Sequence, residues 1–169
     1  MDKKLFLLIN QLANKSVWMD RMMIYASNEL RFLYPLAVCM LWIRKPKKIK
    51  IPSETLVSVL MCMLISNAIK KVKDLPRPFI TRKANVLLTS KEDSSYISKH
   101  TILAFAVSTT IYLYNKGLGI FMYGFSTLIG ISRVWTGVHY PFDILRSALL
   151  GSVVSIGFNR IMKKKGKWY

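Results

Sequence analysis

Arg133, His139 and Asp143 fall within the stretch 132–143, at the mouth of a hydrophobic run, and together they are residue types suited to attacking a phosphate. Pro141 fits the first turn of a helix, where its missing N–H costs nothing, so the apolar run from Phe142 is predicted to begin there. His139 then sits just before the helix and Asp143 in its first turn. The carboxylate can accept a hydrogen bond from one ring nitrogen, which fixes the tautomer and leaves the other nitrogen as a nucleophile. Arg133 adds a planar fork of donors that matches phosphate oxygens. The same His and Asp also suit a plain helix cap.

Two further groups could serve the same chemistry. Lys70, Lys71 and Lys73 close one apolar run, and Pro76 and Pro78 then force the chain out of a helix around Arg77. Lys70 and Arg77 could converge on one anion, or simply form a basic flank to a membrane span. Ser98, Lys99 and His100 open another run. Ser98 is a candidate N-cap, and a helix N-terminus offers unpaired backbone N–H groups to a phosphate. A Ser and a His two residues apart are otherwise common at a helix start.

The elements that carry these groups are apolar. The chain has 169 residues, of which 52% are hydrophobic, and its mean hydropathy is +0.29, too high for a soluble domain of this size. Charge-free runs at 55–69, 100–115 and 117–132 approach the roughly 20 residues that cross a bilayer. Two weaker spans, 22–43 with Glu29 and Arg31, and 142–162 with Arg146 and Arg160, complete a predicted all-α bundle of five transmembrane helices. The arginines of the last span could snorkel to an interface. Residues 5–12, within an N-terminal segment 1–15, read as a short helix lying on the membrane. No cleavable leader is expected. The whole of 1–169 reads as a single membrane-embedded domain with an outer loop at 70–99. Cys39 and Cys62 sit singly in apolar runs and read as packing residues, not as a disulfide.

The formal charge is +18. Basic clusters at 44–50 and 160–167, with Lys116, fall on one side of a five-span bundle, which the positive-inside rule makes cytoplasmic. The other face then holds 70–99 and 133–143. Its cations, Lys70, Arg77, Lys99 and Arg133 among them, suit anionic lipid headgroups or a phosphorylated substrate. Nucleic acid is a poor fit, because the basic residues sit in loops between spans. All three candidate groups meet at one membrane face. The polar stretch 82–97 is long enough to act as a cover over them.

Lys70 followed after six residues by Arg77 and Pro78, then Ser98 and His100, then Ser132 and Arg133 followed after five residues by His139 and after three more by Asp143, resembles the signature of the type 2 phosphatidic acid phosphatase superfamily. Within it the chain looks most like bacterial undecaprenyl pyrophosphate phosphatases of the bacitracin-resistance type. Ile97 and Lys99 stand where that family usually has Pro and Gly, which puts substrate preference in question. Lys99 would add a fourth cation and favour a doubly phosphorylated headgroup, or else face solvent.

The resemblance implies that His139 attacks the terminal phosphorus, that Asp143 orients it, and that His100 protonates the leaving group and then activates water. Lys70, Arg77, Ser98, Arg133 and Lys99 would hold the phosphate oxygens. It implies no metal and no cofactor. The implied partners are a lipid diphosphate and membrane lipids, and the implied setting is a bacterial cell membrane with the site on the extracytoplasmic side, where the enzyme would recycle a cell-wall lipid carrier. Two alternatives stay open: a phosphatidylglycerophosphate or phosphatidate phosphatase, and a lipid-phosphate binder or transporter without turnover.

Overall fold

The computed structural model of the chain describes residues 2–44, 50–81, 83–90 and 94–164. Most of the basic cluster 45–49, the loop residues Arg82, Lys91, Glu92 and Asp93, and the terminal Lys165 and Lys167 lie outside the described residues. The elements in order are α1 (Asp2–Asn10), α2 (Val17–Asn28), a 3-10 turn (Leu30–Phe32), α3 (Leu33–Arg44), α4 (Lys50–Val72), α5 (Pro78–Thr81), α6 (Lys99–Tyr114), α7 (Lys116–Trp135) and α8 (Pro141–Lys164). The described residues contain no strand.

Among the described residues three helices, α4, α7 and α8, are long and apolar enough to cross a membrane. The other two predicted spans differ. Residues 22–43 do not form one helix: α2 stops at Asn28 and α3 restarts at Leu33. Pro35 gives the physical reason, since its ring would clash with the carbonyl four residues back and its nitrogen carries no proton for a continuous ladder. It is tolerated only in the first turn of a new helix, which is where it stands. The run at 100–115 is a helix of 16 residues, about 24 Å long at 1.5 Å per residue.

Short as it is, α6 is the axis of the molecule. It packs against α4, α7 and α8, and Ile102, Ala104, Ala106, Val107 and Ile111 are buried around it. A helix enclosed on all sides shows no clean apolar stripe. Its polar side chains are matched within the bundle: the Ser108 and Ser126 hydroxyls are 2.8 Å apart, Tyr34 Oη lies 2.8 Å from Ser126, and Ser155 Oγ donates to the Ala106 carbonyl at 2.9 Å. Within a bilayer such groups have no water to turn to, so internal pairing is required.

Gly151 sets the distance between α6 and α8. A Cβ there would lie 2.4 Å from the Ile102 carbonyl oxygen and 3.1 Å from the Ala106 nitrogen. The glycine lets the two backbones touch, and so brings the starts of α6 and α8 to the same end of the bundle. At that end α1 lies across α7 and α8. Phe6 is fully buried, edge-on to Tyr140 at 5.4 Å between ring centres, while Leu5, Leu7 and Leu8 stay exposed. The antiparallel order of the helices carries Arg44, Lys50, Lys116, Lys163 and Lys164 to the opposite end. Both cysteines are free, Cys62 buried and Cys39 exposed.

Replacing Gly151 by Val overpacks the α6–α8 contact and should cost about 1–3 kcal/mol. Thermal unfolding in detergent micelles checks this against Gly124→Ala, whose new Cβ meets nothing within 4 Å. An unchanged midpoint for Gly151→Val would mean that the helices do not depend on this approach.

Candidate active site

The loop between α4 and α6 is drawn into a neck before it reaches the site. Ser94 Oγ donates to the Lys73 carbonyl at 2.6 Å and accepts the Leu75 N–H at 3.2 Å, and the Ser95 N–H donates to the Leu75 carbonyl at 2.7 Å. This pairing returns the chain from Arg77 to the start of α6. Beyond the neck, Asn85 is fastened to α1: its N–H and carbonyl bond the Asn10 side chain at 2.8 and 2.9 Å. The Asn10 amide also donates to the Trp135 carbonyl at 2.8 Å. Gly137 makes room for this strap, with φ of 82° and an imagined Cβ only 2.8 Å from the Asn85 carbonyl oxygen. The described part of the expected cover is therefore tied down.

Inside lies a cavity of about 260 Å³ lined by Lys70, Arg77, Ser90, Lys99, His100, Arg133 and His139. Residues from α4, the loop, α6, α7 and the α7–α8 junction thus meet in one place. Arg77 and Arg133 are buried. Arg77 Nη1 donates to the Val138 carbonyl at 3.2 Å, and Arg133 Nη1 to Ser27 Oγ at 2.7 Å. The buried Nε of Arg133 has no hydrogen-bond partner among the described residues. A buried charged donor left open at a cavity wall is costly unless an anion completes it.

His139 is 2% exposed. Its Nδ1 lies 3.1 Å from the Ser95 carbonyl and 3.2 Å from Ser95 Oγ. A carbonyl can only accept, so the proton is on Nδ1 and the Nε2 lone pair is free. The direct bond expected from Asp143 is absent, because Nδ1 and Asp143 Oδ2 are 3.8 Å apart. Ser95 stands between them, donating its hydroxyl proton to Asp143 Oδ2 at 2.7 Å. The carboxylate also takes the Tyr140 N–H at 2.9 Å and Arg146 Nη1 at 2.9 Å. Arg146, read from sequence as a snorkelling residue, instead balances Asp143 and stacks 4.4 Å over the Tyr96 ring.

Ser98 caps α6 as expected, accepting the Thr101 N–H at 3.5 Å and Thr101 Oγ1 at 3.1 Å. It lies just behind the cavity wall, held by its own N–H to Ser147 Oγ at 2.8 Å. Lys99 is exposed and lines the cavity, and Ile97 is buried beside Cys62, Ile102 and Ala106. Of the residues that sequence reasoning missed, Arg146 had a signal, being three positions after Asp143 on one helix face. Ser95 and Ser27 had none, since they come from segments distant in sequence.

Residues 53–167 match the PAP2 superfamily, and the chain belongs to it. It is a phosphatase embedded in a membrane of bacterial type. The undecaprenyl-diphosphatase BcrC of Bacillus subtilis is 27% identical over 95% of this chain and 83% of its own length. An undecaprenyl-diphosphatase of Sulfolobus acidocaldarius is 30% identical over 90% of this chain and 74% of its own. Among solved structures, LpxE of Aquifex aeolicus shares the fold, with a TM-score of 0.80 and 24% identity over 94% of both chains.

Burial disfavours the imidazolium form of His139 and moves its pKa down from 6.5 to about 4; Asp143 pulls it upward, and Arg77 and Arg133 push it further down. The ring is therefore neutral at pH 7. Its folded pKa is below its unfolded one, so the stability it contributes is complete above about pH 6.5 and is lost as the pH falls toward 4, where the unfolded chain takes the proton first. The chain has two histidines, so in a His100→Gln background a single imidazole signal reports the titration. Histidine-labelled NMR in micelles should show it neutral down to about pH 5, with Asp143→Asn lowering the midpoint further. A midpoint at 6.5 would show a hydrated ring.

Proposed function

We propose that the chain hydrolyses a polyprenyl diphosphate, undecaprenyl diphosphate in particular, to the monophosphate through a phosphohistidine. The observation that carries this reading is the convergence of Lys70, Arg77, Lys99 and Arg133 on one cavity with His139 in its wall. Four cations suit a diphosphate better than a singly phosphorylated lipid. The names of the relatives in Bacillus and Sulfolobus support the same substrate.

His139 Nε2 attacks the terminal phosphorus, and as the N–P bond forms the bond from phosphorus to the bridging oxygen breaks. That oxygen leaves with its electron pair on the lipid monophosphate and takes a proton from His100. In the second step His100 takes a proton from water, the resulting hydroxide attacks phosphorus, and His139 leaves with the N–P electron pair. Arg77, Arg133, Lys70 and Lys99 hold the oxygens, with the first-turn N–H groups of α6 and the hydroxyl proton of Ser98. Asp143, acting through Ser95, stabilises the positive ring that phosphorylation creates.

The chain is read as one domain with five crossings, α6 and the α2–α3 pair supplying the two shorter ones. The basic end faces the cytoplasm and the site faces outward. Phosphatidate or phosphatidylglycerophosphate hydrolysis is the rival within the same family, and a binder without turnover is the rival outside it.

Phosphate release by purified protein in micelles, with chelator present, should be faster from undecaprenyl diphosphate than from phosphatidylglycerophosphate or phosphatidate. His139→Ala should lower it by about 10³ or more. Preference for phosphatidate would overturn the substrate, and unchanged release by His139→Ala would overturn the mechanism.

A further inference from the structure

A second cavity, of about 400 Å³, adjoins the first and shares Lys99 and His100 with it. Its remaining walls come from the 3-10 turn, α3, α4 and α6: Arg31, Phe32, Pro35, Val59, Met63 and Leu103 are among them. The surface is almost wholly apolar apart from Arg31, Lys99 and His100. The helix break at Glu29 and Pro35 is what presents Arg31 there, as the middle residue of the 3-10 turn, with its guanidinium 5.0 Å over the Phe32 ring. Arg31 lines the same cavity as His100. None of the residues assigned to phosphate binding above includes it.

The geometry points to Arg31 as a specificity-determining residue, which binds the phosphate nearer the lipid chain while the apolar cavity beside it holds the first part of that chain. The inference rests on the polyprenyl diphosphate reading and sharpens it. An in-line displacement puts the leaving group on the far side of phosphorus from His139, next to the group that protonates it. That group is His100, and the space beyond His100 is the second cavity. For a diphosphate the leaving group is itself a charged phosphate, so it needs a cation on that side. Lys99, which lines both cavities, and Arg31 in the lining of the second supply two. A lipid monophosphate places only an uncharged ester oxygen and its chain there, and Arg31 gains nothing from it. Stacking on Phe32 holds the guanidinium ready, and among the described residues no carboxylate is paired with it.

The test compares wild type, Arg31→Gln and Arg31→Lys on undecaprenyl diphosphate and on phosphatidate in the same micelles. Arg31→Gln is expected to lower kcat/KM for the diphosphate roughly tenfold to hundredfold, mostly through KM, and to leave phosphatidate turnover within about twofold. Arg31→Lys should restore part of the loss, which keeps the charge but not the planar fork. Equal loss on both substrates would make Arg31 a structural residue and overturn the proposal, as would no loss on either. If either variant fails to fold, farnesyl diphosphate and inorganic diphosphate compete on the wild type: an apolar cavity beside Arg31 requires the farnesyl compound to inhibit far more strongly, and equal inhibition overturns it. Should wild type ignore the diphosphate altogether, the substrate reading itself fails; should it cleave the diphosphate while Arg31→Gln matches it, the role of Arg31 alone fails.

Discussion

Arg77 and Arg133 are buried in the wall of one cavity, and the rest of the structure has to hold them there. Two guanidinium groups at close quarters repel, and each has lost most of its hydration. Arg77 donates to the Val138 carbonyl and Arg133 to the Ser27 hydroxyl. Two cations so placed need a rigid frame, and on the proposed function an entering phosphate would relieve their repulsion. Asp143 is paired with Arg146 at 2.9 Å.

The frame is built from close backbone contacts more than from bulk. Gly151 against the Ile102 carbonyl joins α6 to α8, and Gly137 against the Asn85 carbonyl lets the outer loop cross the α7–α8 junction. The neck at Ser94 and Ser95 joins the end of α4 to the start of α6. Each contact fixes one pair of the segments that carry site residues. On the proposed mechanism, a shift of about an ångström at any of them would be enough to spoil an in-line attack.

The sequence was legible where chemistry is local. Pro141 opened α8, Ser98 capped α6, Pro76 and Pro78 followed the end of α4, and the spacing of Lys70, Arg77, His100, Arg133 and His139 placed them in one cavity. Spans at 55–69, 117–132 and 142–162 fell within α4, α7 and α8. It was not legible where a contact joins distant segments. Hydropathy over 22–43 sums apolar residues and is blind to the ring of Pro35, so the helix break and the exposure of Arg31 to a cavity were hidden. Ser95 is one serine among several in a polar loop, and only the fold shows it between His139 and Asp143.

Burial and positive charge act on His139 in the same direction, and this joins binding to reactivity. A nucleophilic imidazole must be neutral, and a phosphate site must be cationic; in water these demands are independent, but in this cavity the groups that meet the second also enforce the first. On the proposed mechanism the cost would appear after attack, when the phosphorylated ring becomes positive among arginines. Asp143 is the group able to offset that charge, and its placement 3.8 Å from Nδ1, with Ser95 bonded to both, suits the timing. A carboxylate bonded directly to Nδ1 would favour a protonated ring in the free enzyme and disable the nucleophile. One hydroxyl further back, it leaves the resting imidazole neutral and still answers the charge that forms on it.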